Sequence, residues 1–197
     1  VPQFVNLFGS NGIKTDQNLL FEEEEISFSD KNLFVQNTPE WSSVEKLKYK
    51  IPNLKLVIVG KNTTDTILKQ QVKDLVIVEF VDFEGWKNVS LFQSYILSSA
   101  ICISPLHRNL QHDVAYANKI FQYMSFAKPL LVSDAIAQKR LVEKTKSGLV
   151  HQEKNAEDFT DKVLKLFDDE TLRNELGENG KFFIENEFSW EQTSKKL

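Results

Sequence analysis

The sequence predicts an α/β fold, a parallel sheet flanked by helices with a helical carboxy-terminal segment, on three observations. From about Asn32 onward, short β-branched runs alternate with longer amphipathic stretches, the order of parallel strands joined by helices. Several of those runs are apolar at consecutive positions, which suits strands covered on both faces better than one-sided antiparallel strands. After Ser133 the strand pattern weakens and apolar residues recur at helical spacing.

In chain order, strands are expected over residues 33–36, 54–59, 76–81, 100–104 and 129–133. Ser42 and Glu45 make a capping box ahead of Leu47 and Tyr49. Residues 62–65 can cap a helix running to Leu75, and Asn88 or Ser90 can open the segment that carries Leu91, Tyr95 and Ile96. Residues 158–167 set Phe159, Val163, Leu164 and Phe167 on one helical face, residues 171–188 do the same with Leu172, Leu176, Phe182 and Phe183, and 189–197 reads as a last capped helix. Residues 1–31 form a leader of uncertain structure, with a turn-rich stretch from Gly9 to Gly12 and an acidic run, Glu22 to Glu25, that reads as a solvated face. The domain is expected over 32–197.

At 197 residues and 41% hydrophobic content the chain can bury the core of one domain, with room for an appendage. A net charge of −4 lacks the dense basic stripe of a nucleic-acid binder, although a local phosphate site needs only one or two cations and backbone amides. The single cysteine, Cys102, lies in an apolar run, so there is no intrachain disulfide and no cysteine cluster for zinc; it reads as core. No apolar stretch approaches the roughly 20 residues of a membrane helix, and no signal pattern opens the chain, so a soluble, cytoplasmic protein is expected. The first residue is Val rather than Met, which suggests a processed form or part of a longer polypeptide.

Ligands of open parallel sheets bind beyond the carboxyl ends of the strands. The loops to inspect are then 37–41, 60–64, 82–87, 105–117 and 134–138, of which the fourth is the longest and enters a helix at Asn118. Asn118 can cap that helix. Lys119, in the first turn, opposes the helix dipole unless an anion such as a diphosphate sits there; the bland alternative bends it into solvent. Gln122 lies one turn on, at i+4 from Asn118 and i+3 from Lys119, and its amide suits hydroxyls of a ribose or sugar. His107, and His112 beside Asp113, are acid–base candidates or simply solvated, and their spacing fits no metal motif. Gly60 is followed by Lys61, Asn62 and Thr63, with neither a GxGxxG nor a Walker sequence.

Four stretches, in order, resemble the carboxy-terminal donor-binding domain of the retaining glycosyltransferases of family 4. They are 51–60 (IPNLKLVIVG), 81–86 (VDFEGW) with 95–105, 118–134 (NKIFQYMSFAKPLLVSD), and 147–190, which opens SGLV. The resemblance implies a Rossmann-like sheet that forms one half of a GT-B fold. In that family the signature helix ends an E-x7-E pattern, whose two carboxylates correspond here to Val114 and Gln122. Gln122 can still hydrogen-bond a ribose, whereas Val114 cannot replace a carboxylate. The family tends to have Gly where Ala127 stands, and basic residues after its first strand, where 37–41 carries none and Lys46 and Lys48 lie beyond. Residues 37–40 also resemble the connector between the halves of such enzymes, in which case the first strand of the domain has been shortened or lost.

The resemblance implies transfer of a sugar (hexosyltransferase type) from a nucleoside diphosphate donor with retention, with no cofactor and no metal. Lys119 and the helix start would hold the diphosphate, with Lys61 and Arg108 as secondary cations. Gln122 would hold the ribose, Asn118 would border the same pocket, and the loop from Asp82 to Gly85 would border the base. A GT-B enzyme encloses its cleft with two domains, so an acceptor-binding domain in the same or another chain is the expected partner, and the isolated chain should bind without efficient turnover. Two further readings stay open: a non-catalytic α/β binding or assembly domain that has lost the carboxylates, and another GT-B enzyme such as a nucleotide-sugar epimerase.

Overall fold

The computed structural model describes residues 3–8, 39–60 and 65–188. Six parallel strands, β1 (Gln3–Phe8), β2 (Leu54–Val59), β3 (Val81–Gly85), β4 (Ser99–Ser104), β5 (Leu130–Ser133) and β6 (Gly148–His151), form one sheet in the order β3-β2-β1-β4-β5-β6. The order reverses between β1 and β4, because β1 pairs with β2 on one side, Val5 opposite Leu56, and with β4 on the other, Val5 opposite Ile101. Such a reversal leaves a crevice beyond the carboxyl ends of the two diverging strands.

Among the described residues six α-helices join the strands, α1 (Pro39–Leu47), α2 (Asp65–Asp74), α3 (Phe92–Ser98), α4 (Leu110–Val114), α5 (Asn118–Ser125) and α6 (Ile136–Thr145), and two more, α7 (Ala156–Asp168) and α8 (Glu170–Asn186), follow β6. Successive strand side chains point to opposite faces, so β2, β4 and β5 each feed two cores. Leu54, Leu56, Ile101, Ile103 and Leu131 pack with Trp41 and Val44 of α1, Leu68 and Val72 of α2, and Phe159, Val163 and Leu166 of α7. Val57, Val59, Cys102, Leu130 and Val132 pack instead with Ile96 of α3, Ile120, Tyr123 and Met124 of α5, Leu141 and Val142 of α6, and Phe183 of α8. Cys102 is fully buried and burial pushes its thiol up, as its reading as core requires.

Several elements depart from the sequence reading. Gln3–Phe8, within the segment whose structure the sequence left open, is the central strand beside the crevice, so the domain has neither shortened nor lost its first strand. The expected strand 33–36 and helix 189–197 lie outside the described residues. The strand expected over 76–81 begins only at Val81. Val76 takes a left-handed φ of 53° to close α2, with its own N–H bonded to the Lys73 carbonyl and the Ile77 N–H to that of Val72, and a 3-10 turn, Val78–Phe80, follows. Helix α1 starts at Pro39, a residue suited to a first helical turn, so Ser42 and Glu45 lie inside it and form no capping box. Strand β6 has four residues, three of them only partly buried, too short to register as a pattern.

Helix α8 crosses the end of α5 where Gly177 meets the backbone of Ala127. A Cβ at Gly177 would collide with the Ala127 carbonyl oxygen, so only glycine permits this approach. Ala127 has a φ of 53°, which accounts for the glycine that the resembling family tends to place there. Among the described residues no helix is long and apolar enough to cross a membrane.

Candidate functional site

The chain leaving β4 is pinned over the ends of β5 and β6. Ser104 and Ser133, which close β4 and β5, are buried, as is Gln138 in α6. Ser104 Oγ donates to Gln138 Oε1 at 3.0 Å, and Gln138 Nε2 donates to the Ser104 and Ser133 carbonyls, each at 3.1 Å. Ser133 Oγ in turn donates to the Leu106 carbonyl at 2.5 Å. Each buried amide and hydroxyl thereby keeps a partner, without which it would cost about 1–3 kcal/mol.

His107 follows, with Nδ1 3.2 Å from Glu153 Oε1, and the two side chains are only 14% and 16% exposed. Glu153 belongs to the loop after β6; its N–H donates to Asp134 Oδ1 at 3.0 Å, and the Lys154 ammonium approaches its carboxylate at 3.2 Å. Burial raises the Glu153 carboxyl, but the Arg108 backbone N–H and the Lys154 ammonium outweigh it and hold the group below the usual range. Burial lowers the His107 pKa and outweighs the attraction of Glu153. A neutral imidazole facing an ionised carboxylate donates from Nδ1, which leaves Nε2 as the acceptor nitrogen.

Within the long loop the five-residue helix α4 is capped by Asn109, whose Oδ1 accepts the His112 N–H at 2.7 Å, and His112 Nδ1 lies 2.6 Å from the His107 carbonyl. Arg108 Nη2 lies 3.0 Å from Asp113 Oδ2, and Asp113 Oδ1 accepts the first N–H of α6, that of Ile136, at 3.0 Å. Those two contacts lower the Asp113 pKa, the Arg108 hydrogen bond most. The expected cation Arg108 is therefore engaged by Asp113. Val114, in the same helix, is 71% exposed.

Helix α5 begins on Ala117, which contributes no side-chain cap, so Asn118 is the first helical residue and not the expected cap. The entry is set instead by Tyr116, whose ring meets Phe121 edge-on at 5.7 Å, a hydrophobic staple across the first turn. Ile120, Tyr123 and Met124 anchor the helix in the core, and Lys119 and Gln122 lie partly buried three residues apart. Lys119 keeps part of its surface in solvent, yet burial around its ammonium lowers its pKa to about 8.

On the other side of the crevice, Gly60 has a φ of 131° and donates its N–H to the Gly85 carbonyl at 2.9 Å, and Gly85 has a φ of 64°. Trp86, immediately after, is 74% exposed. Residues 82–85, expected as a loop, are strand, and Asp82 is second in it, paired with Lys55 at 3.2 Å. Gly85 is thus at the carboxyl edge and Asp82 is not. Lys61 lies outside the described residues. The sequence reading missed Glu153 and the roles of Ser104, Ser133 and Gln138. A serine closing each of the successive strands β4 and β5 is the signal for Ser104 and Ser133, whereas Gln138 and Glu153 carry no comparable local signal.

With this geometry, comparison with known proteins is decisive. Residues 41–182 match the family model of the glycosyl transferases group 1. The chain belongs to that family. An uncharacterized glycosyltransferase of Methanocaldococcus jannaschii is 25% identical over 143 residues, 71% of this chain and 37% of that protein. The chain spans little more than a third of the length of the curated relatives it matches. Among solved structures, HepE of Anabaena in complex with UDP superposes with a TM-score of 0.71 at 14% identity, over 100% of this chain and 48% of that one. The C-terminal domain of the group 1 protein LpcC of Francisella tularensis superposes with a TM-score of 0.67 at 13% identity, over 96% and 89%. The fold is the α/β architecture of these GT-B glycosyltransferases, with its parallel sheet flanked by helices.

Proposed function

We propose that this group 1 domain binds a nucleoside diphosphate sugar and, completed by an acceptor-binding domain, transfers the sugar with retention of configuration. The observation that carries the reading is the join of the crevice between β1 and β4 to an uncapped helix whose first turn holds Lys119 against burial. The amino end of α5 offers N–H groups and a partial positive charge, and a diphosphate seated there would offset the desolvation of Lys119. Lys119 would then stabilise the departing diphosphate as the glycosidic bond breaks, charge stabilisation by a prepositioned group. Gln122 would hold the ribose, with Asn118 at the rim of the same pocket. Gly85 would border the base, with exposed Trp86 as a stacking face. Lys61 is kept as a secondary cation, while Arg108 would first have to leave Asp113. UDP bound to HepE supports a pyrimidine nucleotide as the first one to try.

Val114 and Gln122 favour a second reading, in which the domain binds without catalysing. Titration with UDP, GDP and ADP followed by thermal unfolding tests binding, since a ligand at a hundred times its Kd stabilises by about 2.7 kcal/mol. No shift with any nucleotide would sink the donor reading. Binding without transfer, in the presence of the acceptor-binding domain, would favour the second.

A further inference from the structure

The end of the sheet opposite the crevice carries apolar side chains that neither the cores nor the proposed nucleotide contacts use. Strands β2 and β3 pair in parallel, so the connections that enter them, residues 48–53 after α1 and 75–80 after α2, lie at the same, amino end of neighbouring strands. Tyr49 on the first is 82% exposed, and Val76 and Val78 on the second are 77% and 54% exposed, whereas Leu47, Ile51 and Ile77 beside them are buried. Lys48 joins the two connections. Its ammonium donates to the Val76 carbonyl at 3.4 Å and lies 5.1 Å from the centre of the Tyr49 ring.

Folding does not account for Val76. The other described non-glycine residues of positive φ are Asn53, Ala127, Lys146 and Lys154, so Val76 is the one β-branched residue in a region that β-branched side chains fit worst. Burial does not offset the strain, since the side chain stands in solvent. Glycine or asparagine would close α2 with less strain, so an apolar, branched residue held out here serves a contact outside the chain.

The surrounding charge indicates the kind of contact. Residues 48–53 hold Lys48 and Lys50 and no acid, and Lys46 lies in the last turn of α1, on a chain whose net charge is −4. The nearest acids in sequence are Glu45, Asp74 and Glu79, of which Asp74 accepts a hydrogen bond from Gln70 Nε2 at 2.8 Å. Three apolar tips on two short connections are too few for the roughly 800 Å² a side that a stable protein–protein interface buries. They suit the boundary of a bilayer, where aromatic and aliphatic tips enter and lysine ammonium groups meet lipid phosphates.

We propose that the amino end of the sheet, through Tyr49, Val76 and Val78 with Lys46, Lys48 and Lys50, docks on a membrane surface containing anionic phospholipid. The crevice, at the other end of the strands, stays open in that arrangement. The inference stands independently of the donor reading, because none of these residues belongs to the proposed nucleotide contacts.

Co-sedimentation of the full chain with vesicles compares phosphatidylcholine alone with equal parts of phosphatidylcholine and phosphatidylglycerol. The chain should pellet with the anionic vesicles only, and should come off as salt is raised, because salt screens the lysine attraction. Lys46→Gln and Lys50→Gln should each lower partitioning by about fivefold. Val76→Asn should lower it by about tenfold and raise the Tm by relieving the left-handed strain, so that weaker binding is not a folding defect. In Tyr49→Trp the emission should shift to the blue on adding anionic vesicles, with no such shift in the unaltered chain, whose exposed Trp86 follows the opposite end of β3. No binding to anionic vesicles, partitioning unchanged in Val76→Asn and in both lysine variants, a fall in the Tm of Val76→Asn, or an equal blue shift in the unaltered chain would overturn the inference. Self-association of the unaltered chain at sedimentation equilibrium, abolished by Val76→Asn, would overturn it as well and assign the face to a second copy.

Discussion

Helices α7 and α8 begin as local rules ask, and α5 does not. Asn155 accepts the N–H groups of Glu157 and Asp158 at the start of α7, and Asp169 accepts that of Leu172 at the start of α8. Both helices carry carboxylates in the first turn, where the dipole favours them. Helix α5 starts on Ala117 with no side-chain cap, no acid in its first turn and a partly buried lysine. Helices α7 and α8 pack into the cores, whereas α5 follows the long loop that leaves the carboxyl end of β4. Departures from local consistency gather where a ligand is expected to supply what the chain omits.

The largest expected effect tests where the two kinds of helix meet. Gly177→Ala should cost about 3 kcal/mol in urea unfolding, because the new methyl and the Ala127 carbonyl oxygen cannot share the space. A variant as stable as the original would mean that α8 is not seated on the end of α5.

Next in size is Lys119→Met, which keeps the apolar stem and removes the charge. Burial has lowered this ammonium from 10.5 to about 8, so the ionised form opposes folding at neutral pH. The variant should gain about 1–3 kcal/mol in the absence of ligand and lose the nucleotide-induced rise in Tm. A gain in stability with nucleotide affinity intact would separate the strain from the binding role.

The caps sharpen the contrast further. Asn155→Ala and Asp169→Ala should each cost about 1 kcal/mol by chemical denaturation while nucleotide affinity holds. Ala117→Asp should do the opposite, adding about 0.5–1 kcal/mol and weakening nucleotide binding through a negative charge beside the diphosphate. Equal effects on affinity from all three would erase the distinction between packing and binding helices.

The smallest effect is in pH. His107 and His151 are both buried and both have folded pKa values below the ordinary 6.5, so the unfolded chain binds more protons in the window beneath it. Their contribution is complete above pH 6.5 and is lost as pH falls through the folded values. The free energy of urea unfolding should therefore drop by about 1 kcal/mol or less between pH 7.5 and 5.5, and His107→Gln should reduce the drop. A midpoint that rose on acidification would contradict the burial of both rings.

Much of the fold was legible in the residues. The runs at β2, β4 and β5 are apolar at consecutive positions because helices cover both faces, and the long loop with α5 after it stood out by length and by Lys119. Strand β1 escaped because its meaning is topological. A short run such as QFVNLF carries the same local signal whether it is central, peripheral or unpaired, and only its pairing with β2 and β4 makes it the strand beside the crevice. Asn118 was expected to cap α5 because its side chain suits that place. The packing of Tyr116 on Phe121 set the entry one residue earlier.

The sequence by itself determined the α/β class, the burial of Cys102 and the candidacy of Lys119 and Gln122, since each depends on residue type and on periodicity along the chain. Only the tertiary structure decided that Arg108 is engaged by Asp113, that Asp82 lies inside a strand, and that His107 meets Glu153. Those partners are 5, 27 and 46 residues apart, Lys55 being the partner of Asp82. No local propensity encodes such pairs. The first is set by how the loop after β4 folds back on itself, and the other two by which strands the sheet order brings near one another.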